Sequence, residues 1–77
     1  MISDGDILLR IAEALGVDAG TIERTTTARE IESWDSMGTM AIVLWLNEEF
    51  GMELAPQETA RLQSVESIVR LLRAAGH

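Results

Sequence analysis

Apolar residues recur with helical spacing in three stretches of the chain. In the first stretch, the residues spaced at i, i+3, i+4 and i+7 are Leu8, Ile11, Ala12 and Leu15. The last stretch repeats this spacing with Val65, Ile68, Val69 and Leu72. Such spacing places side chains on one helix face, and Ser3, Gly16 and Ser64 are residue types typical of helix starts and ends. The pattern predicts helices over about residues 4–15 and 64–75.

The middle stretch, about residues 36–50, predicts the longest helix and is apolar on two sides. The side expected to face the core consists of Thr39, Ile42, Val43, Leu46 and Phe50. The opposite side consists of Met37, Ala41, Leu44, Trp45 and Glu48. A helix that is apolar on both sides is either fully buried or presents one side to a partner. Because a small domain can hardly wrap a helix completely, we expect the second side to bind partners. Met40, at the boundary, is expected to fill the core.

A connection of about 20 residues, 16–35, separates the first two helices. Its apolar residues are too sparse for strands and are expected to anchor it to the core; they are Val17, Ile22, Ile31 and Trp34. The threonines at 25–27 are expected to be exposed, and Arg24 and Arg29 to be solvated. So long a connection in a compact domain is usually functional.

The segment after the second helix is short and contains the only proline. Leu54 is expected to point inward, and Pro56 suits the start of a short helix over residues 57–62. The sequence therefore predicts one all-α domain over residues 1–77. Its architecture would be a small four-helix bundle, with three main helices, a short third helix and a long first loop.

Composition argues against catalysis by this chain alone. The 77 residues contain no cysteine and a single histidine, His77, which is expected to be frayed at the chain end. The usual pairs of nucleophile and base, and thiolate metal sites, therefore cannot be assembled. We predict that the chain is not an enzyme.

Charge and hydropathy limit the partners. The chain has thirteen acidic residues and six arginines, for a net charge of −7. This charge disfavours binding to nucleic acid and favours basic partner proteins. Alternatively, it serves solubility alone. No apolar run is long enough to span a membrane. We expect a cytoplasmic monomer.

Ser36 stands where the longest helix begins. A serine at such a position is usually a helix cap and nothing more. If Asp35 supplies the cap instead, Ser36 takes the first helical position, where a phosphate ester would be favoured by the helix dipole. On the residues alone, Ser36 is either a cap or a modification site.

The chain resembles the acyl carrier protein family, which includes the peptidyl and aminoacyl carrier proteins. The resemblance covers about residues 4–74 and includes the long first loop and Asp35-Ser36-Met37 in place of the family's Asp-Ser-Leu. It also includes the stretches LNEEFG (46–51), LAP (54–56) and SVESI (64–68). Together these matches are far more specific than the tripeptide.

This resemblance implies a covalent cofactor and a set of partners. Ser36 would carry 4′-phosphopantetheine through a phosphodiester bond installed by a phosphopantetheinyl transferase, and the thiol of that arm would hold an acyl or aminoacyl group as a thioester. Asp35 and the second helix would be read by the transferase and by partner enzymes. These would include acyl- or aminoacyl-activating ligases, ketosynthases, and condensing or transferase enzymes.

The chain departs from fatty-acid carriers in its second helix, which has fewer acidic residues. The segment Trp34–Gly38 is more similar to discrete carriers of specialised pathways than to fatty-acid carriers. Trp34 itself is expected to anchor the loop to the core. Gly38 costs about 1 kcal/mol of helix propensity; either its small size lets a partner backbone approach, or it is a neutral replacement. The alternative function is an unmodified helical adaptor that binds partners through the exposed side of the same helix.

Overall fold

The computed structural model describes residues 1–77 and confirms the predicted all-α fold. The α-helices are α1 (Asp4–Leu15), α2 (Ser36–Phe50), α3 (Pro56–Thr59) and α4 (Val65–Ala74). Two 3-10 turns, Ala19–Thr21 and Ala28–Glu30, lie in the loop between α1 and α2. None of the helices combines the length and the apolar character needed to cross a membrane.

Local chemistry sets the helix ends. The Ser3 and Ser64 hydroxyls accept hydrogen bonds from backbone N–H groups in the first turns of α1 and α4, which satisfies donors that a helix start leaves unpaired. Gly16 and Gly51 end α1 and α2 in the left-handed conformation, with φ of 70° and 65°. This conformation favours glycine over residues with a side chain.

The third helix is shorter than predicted. It begins at Pro56 and ends at Thr59, whereas the sequence pattern predicts residues 57–62. The N–H groups of Arg61 and Leu62 bond to carbonyls three residues back, Glu58 and Thr59, at 3.1 Å each. This tighter spacing is that of a 3-10 turn, and it brings Leu62 into the core at 2% exposure.

One hydrophobic core joins α1, α2, α4 and the loops. Its buried members are Ile7, Ile11, Ala12, Leu15, Ile22, Trp34, Ile42, Leu46, Leu62, Val65, Ile68, Val69 and Leu72. The predicted stripe of α4 is confirmed in full, but in α1 Ile7 is fully buried while Leu8 is only partly buried. In α2, Val43 and Phe50 lie at the edge of the core. Packing against neighbouring helices sets how each helix is rotated about its own axis. Periodicity alone leaves that rotation uncertain by about one residue.

The α1–α2 loop is anchored by its apolar residues and by backbone hydrogen bonds. Ile22 and Trp34 are buried as predicted, but Thr26, expected to be exposed, is also buried. The Thr26 hydroxyl accepts from the Glu23 N–H at 2.8 Å, and its carbonyl accepts from the Val65 N–H at 3.0 Å. The first bond lies within the loop, and the second ties the middle of the loop to the start of α4.

Distant segments meet at two further residues, and one of the two expectations is wrong. Arg24 is exposed to solvent as expected, and its guanidinium also pairs with the Asp4 and Glu66 carboxylates at 2.5 and 3.4 Å. His77 is not frayed: its ring centroid lies 4.6 Å from that of Phe50, and its carbonyl accepts from the Ile2 N–H at 3.1 Å. Both chain ends are thereby held against the bundle.

Gly38 lies where the loop crosses the first turn of α2. A Cβ at this position would stand 2.1 Å from the Ser33 carbonyl oxygen and 2.8 Å from Leu15 Cδ2. Gly38 is itself buried. The small size of Gly38 therefore makes room for the backbone of Ser33 in the same chain. The expectation that a partner backbone approaches at this position is wrong.

We predict that Gly38→Ala lowers the free energy of unfolding by about 1–3 kcal/mol, the usual cost of overpacking, despite alanine's higher helix propensity. Chemical denaturation measures the change. Gly5→Ala in α1 is the matched control, since its Cβ would meet nothing closer than the Ser3 hydroxyl at 4.0 Å. That variant should be as stable as the wild type or more stable. Equal stability of the two variants would contradict the steric account.

Candidate functional site

The start of α2 is capped by Asp35 and not by Ser36. An Asp35 carboxylate oxygen accepts from the Gly38 N–H at 2.9 Å, and the Asp35 carbonyl accepts from the Thr39 N–H at 2.9 Å. Ser36 is the first residue of the helix and is exposed to solvent. Its hydroxyl is therefore left available for chemistry while the helix start remains satisfied.

The segment that leads to Ser36 is held by hydrogen bonds to the rest of the chain. The Ser33 hydroxyl donates to the Leu15 carbonyl at 2.8 Å, and the Trp34 N–H donates to the Ile31 carbonyl at 3.0 Å. Upstream, the Glu30 carboxylate accepts from the Thr27 N–H at 2.6 Å. The position of the Ser36 backbone thus depends on contacts with α1 and within the loop.

An exposed apolar strip runs along α2 from the position next to Ser36. Its side chains are Met37, Met40 and Leu44, with exposures of 81%, 57% and 57%. Met40 was predicted to fill the core, and this prediction is wrong. Positions 37, 40 and 44 follow the spacing of one helix face, so that face is turned to solvent and Met40 belongs to it.

The predicted partner face is only partly exposed. Trp45 packs against the core, its ring meets Phe50 edge-to-face at 5.7 Å, and its Nε1–H donates to Glu49 at 3.2 Å. Ala41 is also half-buried, whereas Glu48 is exposed. Trp45 is therefore partly buried within its own chain, and its role in partner binding stays a prediction.

A groove between α1 and α2 brings together four of the five predicted partner-binding residues. Its lining residues are Arg10, Glu13, Ala14, Ala41, Leu44, Trp45 and Glu48. Arg10 lies within 3.8 Å of a Glu13 carboxylate oxygen and within 3.6 Å of one from Glu49. The fifth residue, Met37, lies apart from this groove, beside Ser36.

A cavity of about 380 Å³ opens beside Ser36. Its walls come from the start of α2 and from the segment after α3, and are formed by Trp34, Asp35, Ser36, Thr39, Met40, Thr59, Ala60 and Gln63. The contribution of Thr59, Ala60 and Gln63 was not predicted from the sequence. These residues carry no motif of their own, and only the turn after α3 brings them opposite Ser36.

The site has the features that an attached polar arm requires. An exposed hydroxyl stands at a helix start, and an open cavity lies next to it. Ligand sites are usually concave and mostly apolar, with few placed polar groups. The fold and site therefore define a small helical domain with an exposed serine at the start of its longest helix, beside an open cavity.

Comparison with known proteins gives this class its family. A family model described as "Phosphopantetheine attachment site" matches residues 6–72. The acyl carrier protein of Clostridium acetobutylicum is 30% identical over 64 residues, which cover 83% of each chain. That of Chlamydia felis is 26% identical over 73 residues, which cover 95% of this chain and 94% of the relative. The chain belongs to the acyl carrier protein family.

Membership in this family establishes the cofactor and the general role. As a member of the family, the chain carries a covalently attached 4′-phosphopantetheine. When bound, this group supplies a thiol that holds acyl groups as thioesters. Proteins of the family are carriers and are not themselves catalytic, and they interact with a phosphopantetheinyl transferase and with biosynthetic enzymes.

The capping geometry predicts that two neighbouring substitutions differ in their effect on stability. Asp35→Ala should lower the free energy of unfolding by about 1 kcal/mol, because the Gly38 N–H loses its acceptor. Ser36→Ala should change it by less than about 0.5 kcal/mol, as is usual for surface positions. Urea denaturation of both variants measures the difference. A larger loss for Ser36→Ala would show that Ser36 is the cap.

Proposed function

We propose that Ser36 is the residue that carries the phosphopantetheine arm. Three observations support this assignment: the side chain is exposed, it stands at the first position of α2, and the neighbouring Asp35 supplies the cap. The Asp35 cap is the decisive observation, because the helix start then does not need the Ser36 hydroxyl as a hydrogen-bond acceptor. The carrier domain would comprise residues 1–77.

The helix start also suits the phosphodiester that such attachment creates. Asp35 uses the N–H of Gly38, so the N–H groups of Ser36 and Met37 remain at the positive end of the helix dipole. The first turn of α2 contains no acidic residue. An anion esterified to Ser36 would therefore be stabilised by the backbone, and the neighbouring Asp35 carboxylate is itself bonded to the Gly38 N–H.

The exposed strip of Met37, Met40 and Leu44 is the surface that we assign to partner enzymes. Exposed apolar patches beside a functional group commonly mark protein–protein contacts, and methionine adapts to differently shaped partners. Glu48 and the net charge of −7 would speed the approach of basic partners. Brief docking through this strip would present the thioester to each enzyme in turn.

We further propose a specialised pathway, for polyketide, nonribosomal peptide or aminoacyl products, in place of housekeeping fatty acid synthesis. The support is the uncharged character of α2 up to Asn47, since a docking helix with few carboxylates selects partners by apolar contact more than by basic patches. The similarity of the Trp34–Gly38 segment to discrete carriers agrees with this choice. The partners would include an activating ligase, a ketosynthase or a condensing enzyme, and the carrier would act as a cytoplasmic monomer.

We expect purified apo protein to gain the mass of one phosphopantetheinyl group when it is incubated with coenzyme A and a broad-specificity phosphopantetheinyl transferase. Intact mass spectrometry measures the gain. Ser36→Ala should abolish the gain, and Ser33→Ala, a serine three positions away, should retain it. No gain on the wild-type protein, with a working positive control, would favour the unmodified adaptor instead.

Leu44→Glu tests the exposed strip. It should raise the KM of the transferase for the carrier about tenfold, as expected when an interface contact worth about 1.4 kcal/mol is lost. The free energy of unfolding should change by less than about 0.5 kcal/mol, because Leu44 is a surface residue. Leu9→Glu is the matched control, since Leu9 is an exposed leucine of α1. Equal KM values for both variants would refute docking through the strip.

A further inference from the structure

Thioether sulfur dominates the exposed strip that begins beside Ser36. Two of its three side chains are methionines, Met37 and Met40, which are 81% and 57% exposed; the third is Leu44. The chain contains four methionines and no cysteine, so thioethers are its only sulfur groups before an arm is attached. Half of these groups therefore lie on one helix face, at the first and fourth positions after Ser36.

The other two methionines differ in their surroundings. Met52 lines a groove with Met40 and Leu44, but it is partly buried and packs against the hydrophobic core. Met1 is fully exposed and lies before the first helix, outside the strip. Because oxidants reach an exposed sulfur more readily than a buried one, Met37 and Met40 should be oxidised before Met52.

We propose that Met37 and Met40 form a redox-sensitive modification site, and that their oxidation by hydrogen peroxide weakens partner docking. The inference rests on the proposed roles of Ser36 and of the exposed strip. At each sulfur, a lone pair attacks one peroxide oxygen and the O–O bond breaks. A proton passes from the transferred oxygen to the departing one, which leaves as water. The sulfur loses two electrons, the peroxide gains them, and the product is methionine sulfoxide.

Oxidation changes what the strip can bind. Methionine is apolar, whereas methionine sulfoxide is polar, and its oxygen must give up bound water when a partner covers it. Oxidation of both residues leaves Leu44 as the one apolar side chain of the strip. Neither methionine belongs to the core, so the fold should be retained. The change is reversible, because sulfoxide reductases return two electrons and two protons and release the oxygen as water.

Treatment of the apo protein with hydrogen peroxide tests where oxidation occurs. The apo form is used because an attached arm adds a thiol that peroxide also oxidises. Cleavage after arginine places Met37, Met40 and Met52 in one fragment, residues 30–61, and tandem mass spectrometry of this fragment follows each residue separately. Sulfoxide should form faster at Met37 and Met40 than at Met52. Oxidation of Met52 at the same rate or faster overturns the proposed site.

Transferase kinetics test the effect on docking. We expect peroxide treatment to raise the KM of the phosphopantetheinyl transferase for the carrier about tenfold, the size of effect expected when an interface contact is lost. Incubation with the two methionine sulfoxide reductases, one for each sulfoxide epimer, should restore the untreated value. An unchanged KM, with both sulfoxides demonstrated by mass, overturns the proposal.

Matched variants assign the effect to the two methionines. Each variant is compared with its own untreated form, so that only the response to peroxide is scored. The double variant Met37→Leu/Met40→Leu keeps apolar side chains of similar volume but has no sulfur in the strip, and its KM should not respond to peroxide. Met52→Leu should respond as the wild type does. An equal rise of KM in the double variant overturns the proposal.

Two measurements separate failure of this inference from failure of the proposed function. Intact mass of untreated protein reports whether the arm is attached to Ser36, and Leu44→Glu reports whether the strip docks the transferase. If both behave as expected and oxidation has no effect, the redox proposal alone is overturned. The Tm of treated wild-type protein should match that of the untreated protein. A fall in Tm that the double variant does not show would make the effect structural and would also overturn the proposal.

Discussion

The crossing of the loop over the first turn of α2 is the constraint on which the rest of the site depends. The Ser33 carbonyl lies so close to position 38 that a Cβ would stand 2.1 Å from it, and the Ser33 hydroxyl is bonded to the last residue of α1, Leu15. Once the loop is held there, Asp35 falls at the cap position and Ser36 at the first position of the helix. The cost of a glycine in the helix is offset by the packing that it permits.

The same constraint connects fold to function. A loop fixed at its end delivers Ser36 to the surface in one orientation, which a modifying enzyme requires for recognition. Because Asp35 satisfies the helix start, the serine hydroxyl can be esterified without loss of a capping bond. The exposed strip begins at the next residue, Met37, so the proposed attachment site and the proposed docking surface share one helix end. The small core needs only the other side of α2.

Much of this architecture could be predicted, and the failures share a physical cause. Helical periodicity and cap residues mark α1, α2 and α4 because burial and capping are local properties of the sequence. The burial of Thr26 and the exposure of Met40 depend on which distant segment packs nearby, and local pattern does not contain that information. The role of Gly38 required knowledge that Ser33 lies against it. In the same way, Ser36 and Asp35 could be identified from their position at the predicted start of α2. The contribution of Gln63 to the cavity wall could not be predicted.

Localisation of the arm in protein isolated from cells tests the assignment of Ser36 most directly. Cleavage after arginine yields a fragment of residues 30–61 that contains two serines, Ser33 and Ser36. Fragmentation of this peptide by tandem mass spectrometry distinguishes them. We predict one phosphopantetheinyl group on Ser36 and none on Ser33, whose hydroxyl is hydrogen-bonded to the Leu15 carbonyl. A group on Ser33, or on any residue outside this fragment, would contradict it.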